Sequence, residues 1–171
     1  PLITWHTNPA LISLRNMARR LGLNHCLAGL RQGKVYEQAF DDALFSALRK
    51  GDVVWDVGAN IGYYTKRFAE TVGPGGHVVS FEPFPPTAER LRARMKEIPN
   101  CNLQVLALGA EDGWVTMQAG GDDLAATSRI IAGSGDGVAT RIATGDGLLE
   151  RNEVPAPTVL KIDTEGFELD V

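Results

Sequence analysis

Three carboxylates stand where chemistry could be done. Asp56 lies at the end of an apolar run, Val53–Val57, and Gly58-Ala59-Asn60-Ile61-Gly62 follows at once. Glu82 ends a second run, His77–Phe81, at 82 − 56 = 26 positions after Asp56. Asp163 closes a third, Val159–Ile162, with Glu165 two positions on. Glycines after a strand let the backbone turn sharply and approach a ligand without a Cβ in the way. A carboxylate at the end of the next strand can accept hydrogen bonds from both hydroxyls of an adenosine ribose, and Pro83 beside it offers the adenine a flat apolar wall. Each acid alone reads equally well as a helix cap or a solvated strand end. Acid, glycine turn and second acid in this order point to a nucleoside ligand.

Charge narrows the nucleoside. A dinucleotide fingerprint is Gly-x-Gly-x-x-Gly, with pyrophosphate held at a helix N-terminus. Here Asn60 occupies the middle position between Gly58 and Gly62, and Asp56 would repel a pyrophosphate. The same carboxylate suits the ammonium of an amino-acid tail. S-adenosylmethionine has that ammonium, a ribose and no phosphate, so it is favoured over NAD, and an NAD-dependent oxidoreductase is the weaker alternative.

The late run carries the acceptor-side candidates. Lys161 and Asp163 alternate onto one strand face, with Asp163 at the C-terminal end. The sulfonium already activates the methyl group, so the enzyme's task is in-line positioning, and a hydroxyl acceptor also benefits from a base. Asp163 is the first candidate for that base, or for orienting the acceptor; Glu165 is next, and Lys161 is placed to tune Asp163. The competing reading of Asp163-Thr164-Glu165 is a helix N-terminus, where acids are favoured by the dipole.

These residues need strands and helices to position them. After the Val53–Val57 strand, Ile61, Tyr64, Phe68 and Val72 mark one helical face, broken by Gly73-Pro74-Gly75-Gly76. His77–Phe81 is the second strand; Pro86 suits the first turn of a helix carrying Leu91, Met95 and Ile98, and Asn102–Leu108 is the third strand. This alternation predicts a doubly wound parallel sheet whose strand C-termini share one ligand-binding edge. Beyond Gly113 the pattern weakens. Trp114–Gln118 and Val138–Ala143 are candidate strands, and the glycine-rich stretch between them, around Ser128, reads as a mobile loop. Val159–Ile162 is the fourth strand, and a helix is expected from about Glu165. Residues 1–50 read as a helical arm, with Leu11, Leu14, Ala18 and Leu21 on one face and Phe40, Leu44 and Leu48 on another. Residues 51–171 form the binding domain.

Bulk properties exclude several classes. With 171 residues, 44% hydrophobic and 22% charged, the chain has the size and composition of one globular domain. No run approaches the ~20 apolar residues of a membrane span, and no leader pattern opens the chain, which predicts a soluble cytosolic protein. Formal charge is −4, divided as +4 over residues 1–50 and −8 over the rest. No basic run interleaved with aromatics appears, so no nucleic-acid partner is expected. Cys26 and Cys101 read as buried free thiols outside any metal-ligand spacing, and no metal is expected.

Four segments together resemble the FkbM-type methyltransferase family. They are Asp56-Val57-Gly58-Ala59-Asn60-Ile61-Gly62-Tyr63-Tyr64-Thr65, Phe81-Glu82-Pro83, Ala107-Leu108-Gly109 and Lys161-Ile162-Asp163-Thr164-Glu165-Gly166-Phe167-Glu168. The resemblance runs from about Tyr36 to Val171. It implies a Rossmann-like α/β sheet using S-adenosylmethionine, usually to methylate hydroxyls of sugars, polyketides or other small metabolites. Carried over, Asp56, Gly58, Asn60 and Gly62 hold the methionine part and Glu82 the ribose, while Asp112 or Glu111 reaches the adenine amino group. Nitrogen acceptors usually go with an Asn/Asp-Pro-Pro-aromatic turn after the fourth strand, and Asp163-Thr164-Glu165-Gly166 stands here instead. The family sheet normally has seven strands; this pattern stops after the fourth. That strand is expected to present an open edge, to be covered by a C-terminal half or by self-association. A non-catalytic cofactor-binding or assembly module is the alternative that this shortfall raises.

Overall fold

The structure, a computed structural model, describes residues 38–39, 41–118, 129–131 and 137–164. The chain divides into two units, Pro1–Ala47 and Leu48–Val171. In the first, residues 38–39 and 41–47 are helical. The rest of the expected helical arm, with Cys26, lies outside the described residues, as do Ser128, Glu165 and the helix expected after it.

The second unit is an α/β fold. Its elements are β1 (Val53–Val57), α1 (Tyr63–Val72), β2 (His77–Phe81), α2 (Pro85–Met95), β3 (Cys101–Gln104), β4 (Ala107–Leu108), β5 (Gly113–Gln118), β6 (Arg129–Ile131), β7 (Val138–Ala143), α3 (Gly145–Glu150) and β8 (Val159–Ile162). The first sheet has the order β3-β2-β1-β8, and every pair in it is parallel. The chain thus builds outward from β1 to one side and later returns to its other side. The change of direction makes a crevice beyond the C-terminal ends of β1 and β8, where sheets of this Rossmann-like kind bind ligands.

Local chemistry explains these elements. α1 buries Thr65, Phe68, Ala69 and Val72 at helical spacing and stops at Gly73, whose φ of 71° suits glycine. α2 opens with Pro85 and Pro86 in its first turn, where a missing N–H costs nothing. Opposite α1, the sheet packs Trp55, Val57, Val79 and Phe81 against Leu106, Leu108, Ala143, Leu148 and Val154 in one core. Trp55 and Phe81 meet edge to face at 5.2 Å, an arrangement that contributes about 0.5–1.5 kcal/mol beyond area burial. Trp55 also donates its indole N–H to the Pro155 carbonyl at 2.9 Å.

Two expectations are corrected. Asn102–Leu108 is not one strand: Cys101–Gln104 pairs with β2, and Ala107–Leu108 leaves for a second sheet ordered β4-β7-β5-β6. There β4 runs parallel to β7, while β5 is antiparallel to both β7 and β6. The stretch read as a loop contains β6, which pairs with β5 through Arg129–Ile131. Residues 145–150, unassigned from sequence, form α3, capped by the Thr144 hydroxyl accepting from the Gly147 N–H at 3.0 Å. No helix among the described residues is long and apolar enough to cross a membrane.

Candidate functional site

The turn after β1 is folded tightly against its neighbours. The N–H groups of Gly58 and Ala59 both donate to the Phe81 carbonyl, at 3.1 and 3.0 Å, and the Gly62 N–H closes back on Ala59 at 2.9 Å. Gly58, Asn60 and Gly62 all have positive φ, at 76°, 49° and 87°. Asparagine tolerates that region better than other residues with a Cβ. At 58 protein packing requires glycine, and at 62 the positive φ favours it. A Cβ at 58 would lie 1.9 Å from the Asp163 carbonyl oxygen, and one at 62 would lie 2.5 Å from Leu91 Cδ1.

Glu82 sits at the C-terminal end of β2 with 5% exposure. One carboxylate oxygen accepts the Asn60 N–H at 2.9 Å and the other the Phe84 N–H at 3.0 Å. Burial pushes its pKa above the usual 4.5, opposed by those two N–H donors and reinforced by nearby Asp56. Each oxygen keeps a second lone pair, so the pair of acceptors fits a vicinal diol. Pro83, half-buried beside it, accepts the Thr140 hydroxyl at its carbonyl, 3.0 Å away.

Asp56 is placed differently from the sequence expectation. Its side chain is fully buried and faces into the sheet–helix layer. Oδ2 accepts the Thr65 hydroxyl at 2.6 Å, and that hydroxyl lies 3.1 Å from Ser80 Oγ. Oδ1 faces the Lys161 ammonium at 3.1 Å as an ion pair, without an aligned hydrogen bond. Lys161 is itself buried and donates to the Gly58 carbonyl at 3.3 Å. Its ammonium also stands 3.6 Å from Asp163 Oδ2 and 5.1 Å from the centre of the Tyr64 ring. Asp163, with 65% of its side chain exposed, opens to solvent just beyond β8, and its N–H donates to the Val57 carbonyl at 3.0 Å.

Asp56, Gly58, Asn60, Gly62, Glu82, Pro83, Lys161 and Asp163 are therefore gathered around one sheet edge. Asp112 is engaged elsewhere. Its carboxylate accepts the Thr144 N–H at 2.8 Å and pairs with Arg151 at 2.9 Å, which holds its pKa below the usual value. An adenine amino group would have to compete with those partners. Glu111 is exposed, and Glu165 lies outside the described residues. Thr65, Ser80 and Thr140 were not singled out from sequence; a lone Lys161 in an otherwise apolar strand was the signal that a buried counter-ion must exist. A cavity of about 540 Å³ between α1 and α2, reached from Gly62 and Tyr63 and bordered by Lys66 and Arg94, has none of these carboxylates in its lining.

The donor and acceptor set fits the ribose of a nucleoside at Glu82. Buried Asp56 already faces one cation, the Lys161 ammonium 3.1 Å from its Oδ1.

A family model described as the methyltransferase FkbM domain matches residues 56–171. The hexuronic acid methyltransferase AglP of Haloferax volcanii is 31% identical over 136 residues, covering 79% of this chain and 54% of that protein. A protein-L-isoaspartate O-methyltransferase of Ignicoccus hospitalis is 43% identical over 67 residues, covering 39% of this chain and 32% of that one. Among solved structures, an FkbM methyltransferase from Methylobacillus flagellatus KT aligns with TM-score 0.49 and 18% identity, over 72% of this chain and 28% of that one. The chain spans about half the length of AglP and about a third of the isoaspartate enzyme.

Proposed function

The chain belongs to the FkbM methyltransferase family, and from that premise we propose that its Leu48–Val171 unit binds S-adenosylmethionine for transfer of a methyl group to a hydroxyl of a small molecule. The observation that carries the reading is Glu82. It is a buried carboxylate at the β2 end whose N–H partners come from the β1–α1 turn and from Phe84, leaving a lone pair on each oxygen for a ribose diol. A sugar, and among sugars an acidic one, is the favoured acceptor class, in line with the hexuronic acid methyltransferase that the chain resembles.

When bound, the sulfonium supplies a methyl group that is already activated. The chain's own residues orient and exclude water. Glu82 fixes the ribose and the turn from Gly58 to Gly62 sets the floor. Pro83 is the proposed wall for the adenine. Asp163 faces solvent next to that floor, where a carboxylate can orient an acceptor hydroxyl and take its proton. Glu165, two residues on, is proposed as a second acceptor-side group on sequence grounds.

Thermal unfolding with S-adenosylhomocysteine, with NAD as the comparison, tests the cofactor. At ~100 times its dissociation constant a ligand stabilises the fold by about 2.7 kcal/mol. A shift with S-adenosylhomocysteine alone supports the reading, whereas a shift only with NAD would replace it with a dehydrogenase. Methyl transfer from labelled cofactor to uronic acids and neutral sugars then tests the acceptor class.

A further inference from the structure

Three neighbouring strands place one polar residue each in a single row. Ser80 of β2 and Lys161 of β8 are the register partners of Asp56 in β1. Each is the penultimate residue of its strand. Register partners in adjacent strands project to the same face, here the face under α1, and Thr65 of α1 closes the row from above. All four side chains are buried, so every charge among them needs its partner inside the protein.

Resting on the cofactor reading above, we infer that Asp56 is the counter-ion of Lys161 and not the group that holds the cofactor's ammonium, and that Lys161 is the positioning residue of the site. Both Asp56 oxygens are engaged, one by Thr65 and one by Lys161. A second ammonium brought to Asp56 would meet the Lys161 charge at close range and repel it. Lys161 has three donors. The ammonium donates to the Gly58 carbonyl in the cofactor turn at 3.3 Å, and its nitrogen lies 3.1 Å from Asp56 Oδ1 and 3.6 Å from Asp163 Oδ2 on the proposed acceptor side. A single buried cation thus fixes the turn that would seat the cofactor relative to the carboxylate that would meet the acceptor.

The assignment separates from a direct Asp56–ammonium contact by a charge-cancelling double variant. S-adenosylhomocysteine affinity is measured by calorimetry at low temperature, where the variants remain folded, for the wild type, D56N, K161M, D56N/K161M and K161R. Melting temperatures are recorded for the same set. With Asp56 as counter-ion, each of D56N and K161M weakens binding roughly tenfold or more, because each leaves one buried charge unmatched. K161R then recovers most of that loss, and the double variant binds better than either single variant, regaining the part due to the unmatched charge but not the part due to the missing ammonium. A direct contact predicts instead that the double variant binds as poorly as D56N, and that result overturns the inference. Equal affinities across the whole set overturn it as well, since Lys161 would then position nothing. If the wild type binds no S-adenosylhomocysteine, the cofactor reading fails on its own. The melting temperatures still decide the pairing: recovery in the double variant supports it, and a double variant no better than the worse single variant refutes it.

Discussion

The carbonyl oxygen of Asp163 stands where the β-carbon of residue 58 would be, 1.9 Å from its ideal position. The exit of β8 therefore crosses directly over the turn after β1. Gly58→Ala is expected to destabilise the unit by well over the ~1–2 kcal/mol that a left-handed conformation costs an alanine, because backbone must also move. Gly51, with φ 91° and open space around it, is the control. Gly51→Ala should cost only the conformational part. Chemical denaturation of both variants checks this, and equal losses would mean that the β8 crossing yields easily.

Thr65→Val keeps the shape of the side chain and removes the hydroxyl that Asp56 Oδ2 accepts at 2.6 Å. Leaving a buried charged acceptor without its donor costs about 1–3 kcal/mol. The expected loss should shrink in a D56N background, where no full charge is stranded. A double-mutant cycle by urea unfolding measures the difference.

Glu82 links binding to pH. Its carboxyl is pushed above 4.5 chiefly by burial. In the free protein, this group's contribution to stability is therefore fully present below 4.5 and is lost as pH rises through the raised value. Ribose recognition needs the ionised form, so affinity should fall as pH drops through that same raised value. S-adenosylhomocysteine titrations carried from neutral pH down towards the usual carboxylate value of 4.5 should show this fall in the wild type and a flat, weaker response in Glu82→Gln. Loss of hydrogen bonds to a charged group, at about 1.5–3 kcal/mol each, predicts at least a tenfold weakening.

The second sheet carries the opposite dependence. Glu153 receives Arg141 in a two-pronged contact at 3.1 and 3.2 Å and Arg151 at 2.6 Å, and these hold its pKa down to about 2. Its stabilising contribution is present above the usual 4.5 and is lost as pH falls towards about 2. Glu153→Gln should remove that part of the acid sensitivity while leaving the neutral-pH fold intact. Acid unfolding curves of the two proteins, compared across that window, are the check.

β8 is at the edge of the first sheet among the described residues, and Leu160 on it is 48% exposed. Among the described residues no strand pairs with the outer side of β8, and such an edge invites pairing with another strand. Sedimentation of the chain over a range of concentrations should show self-association that Leu160→Lys reduces. A concentration-independent monomer would mean the edge is protected.

Much of this architecture was legible in the residues. β1, α1, β2 and α2 follow from short apolar runs, helical spacing and glycine or proline punctuation, and Glu82 at the β2 end follows from them. The break within residues 102–108 was not legible, because the alternating Asn102-Leu103-Gln104 and the apolar Ala107-Leu108 both fit one strand, and periodicity cannot report a change of sheet at Val105-Leu106. α3 is only six residues with glycine at positions 145 and 147, too weak a pattern to register beside its Thr144 cap and first-turn Asp146. The orientation of Asp56 depended on a register between strands 105 positions apart (161 − 56), which no local pattern encodes.

That separation has a consequence for how the chain is made. β1, β2 and β3 leave the ribosome long before β8, and at ~5–20 residues per second the ammonium that neutralises Asp56 arrives roughly 5–20 s later. Until then, closing α1 over the sheet would strand a carboxylate in an apolar layer. The nascent half-sheet is therefore expected to stay loosely packed and protease-sensitive, and to lock only when β8 is delivered. Stalled nascent chains in which a linker long enough to clear the exit tunnel follows residue 158 or residue 164, compared by limited proteolysis, would reveal that late step as a change in resistance of the α1 segment.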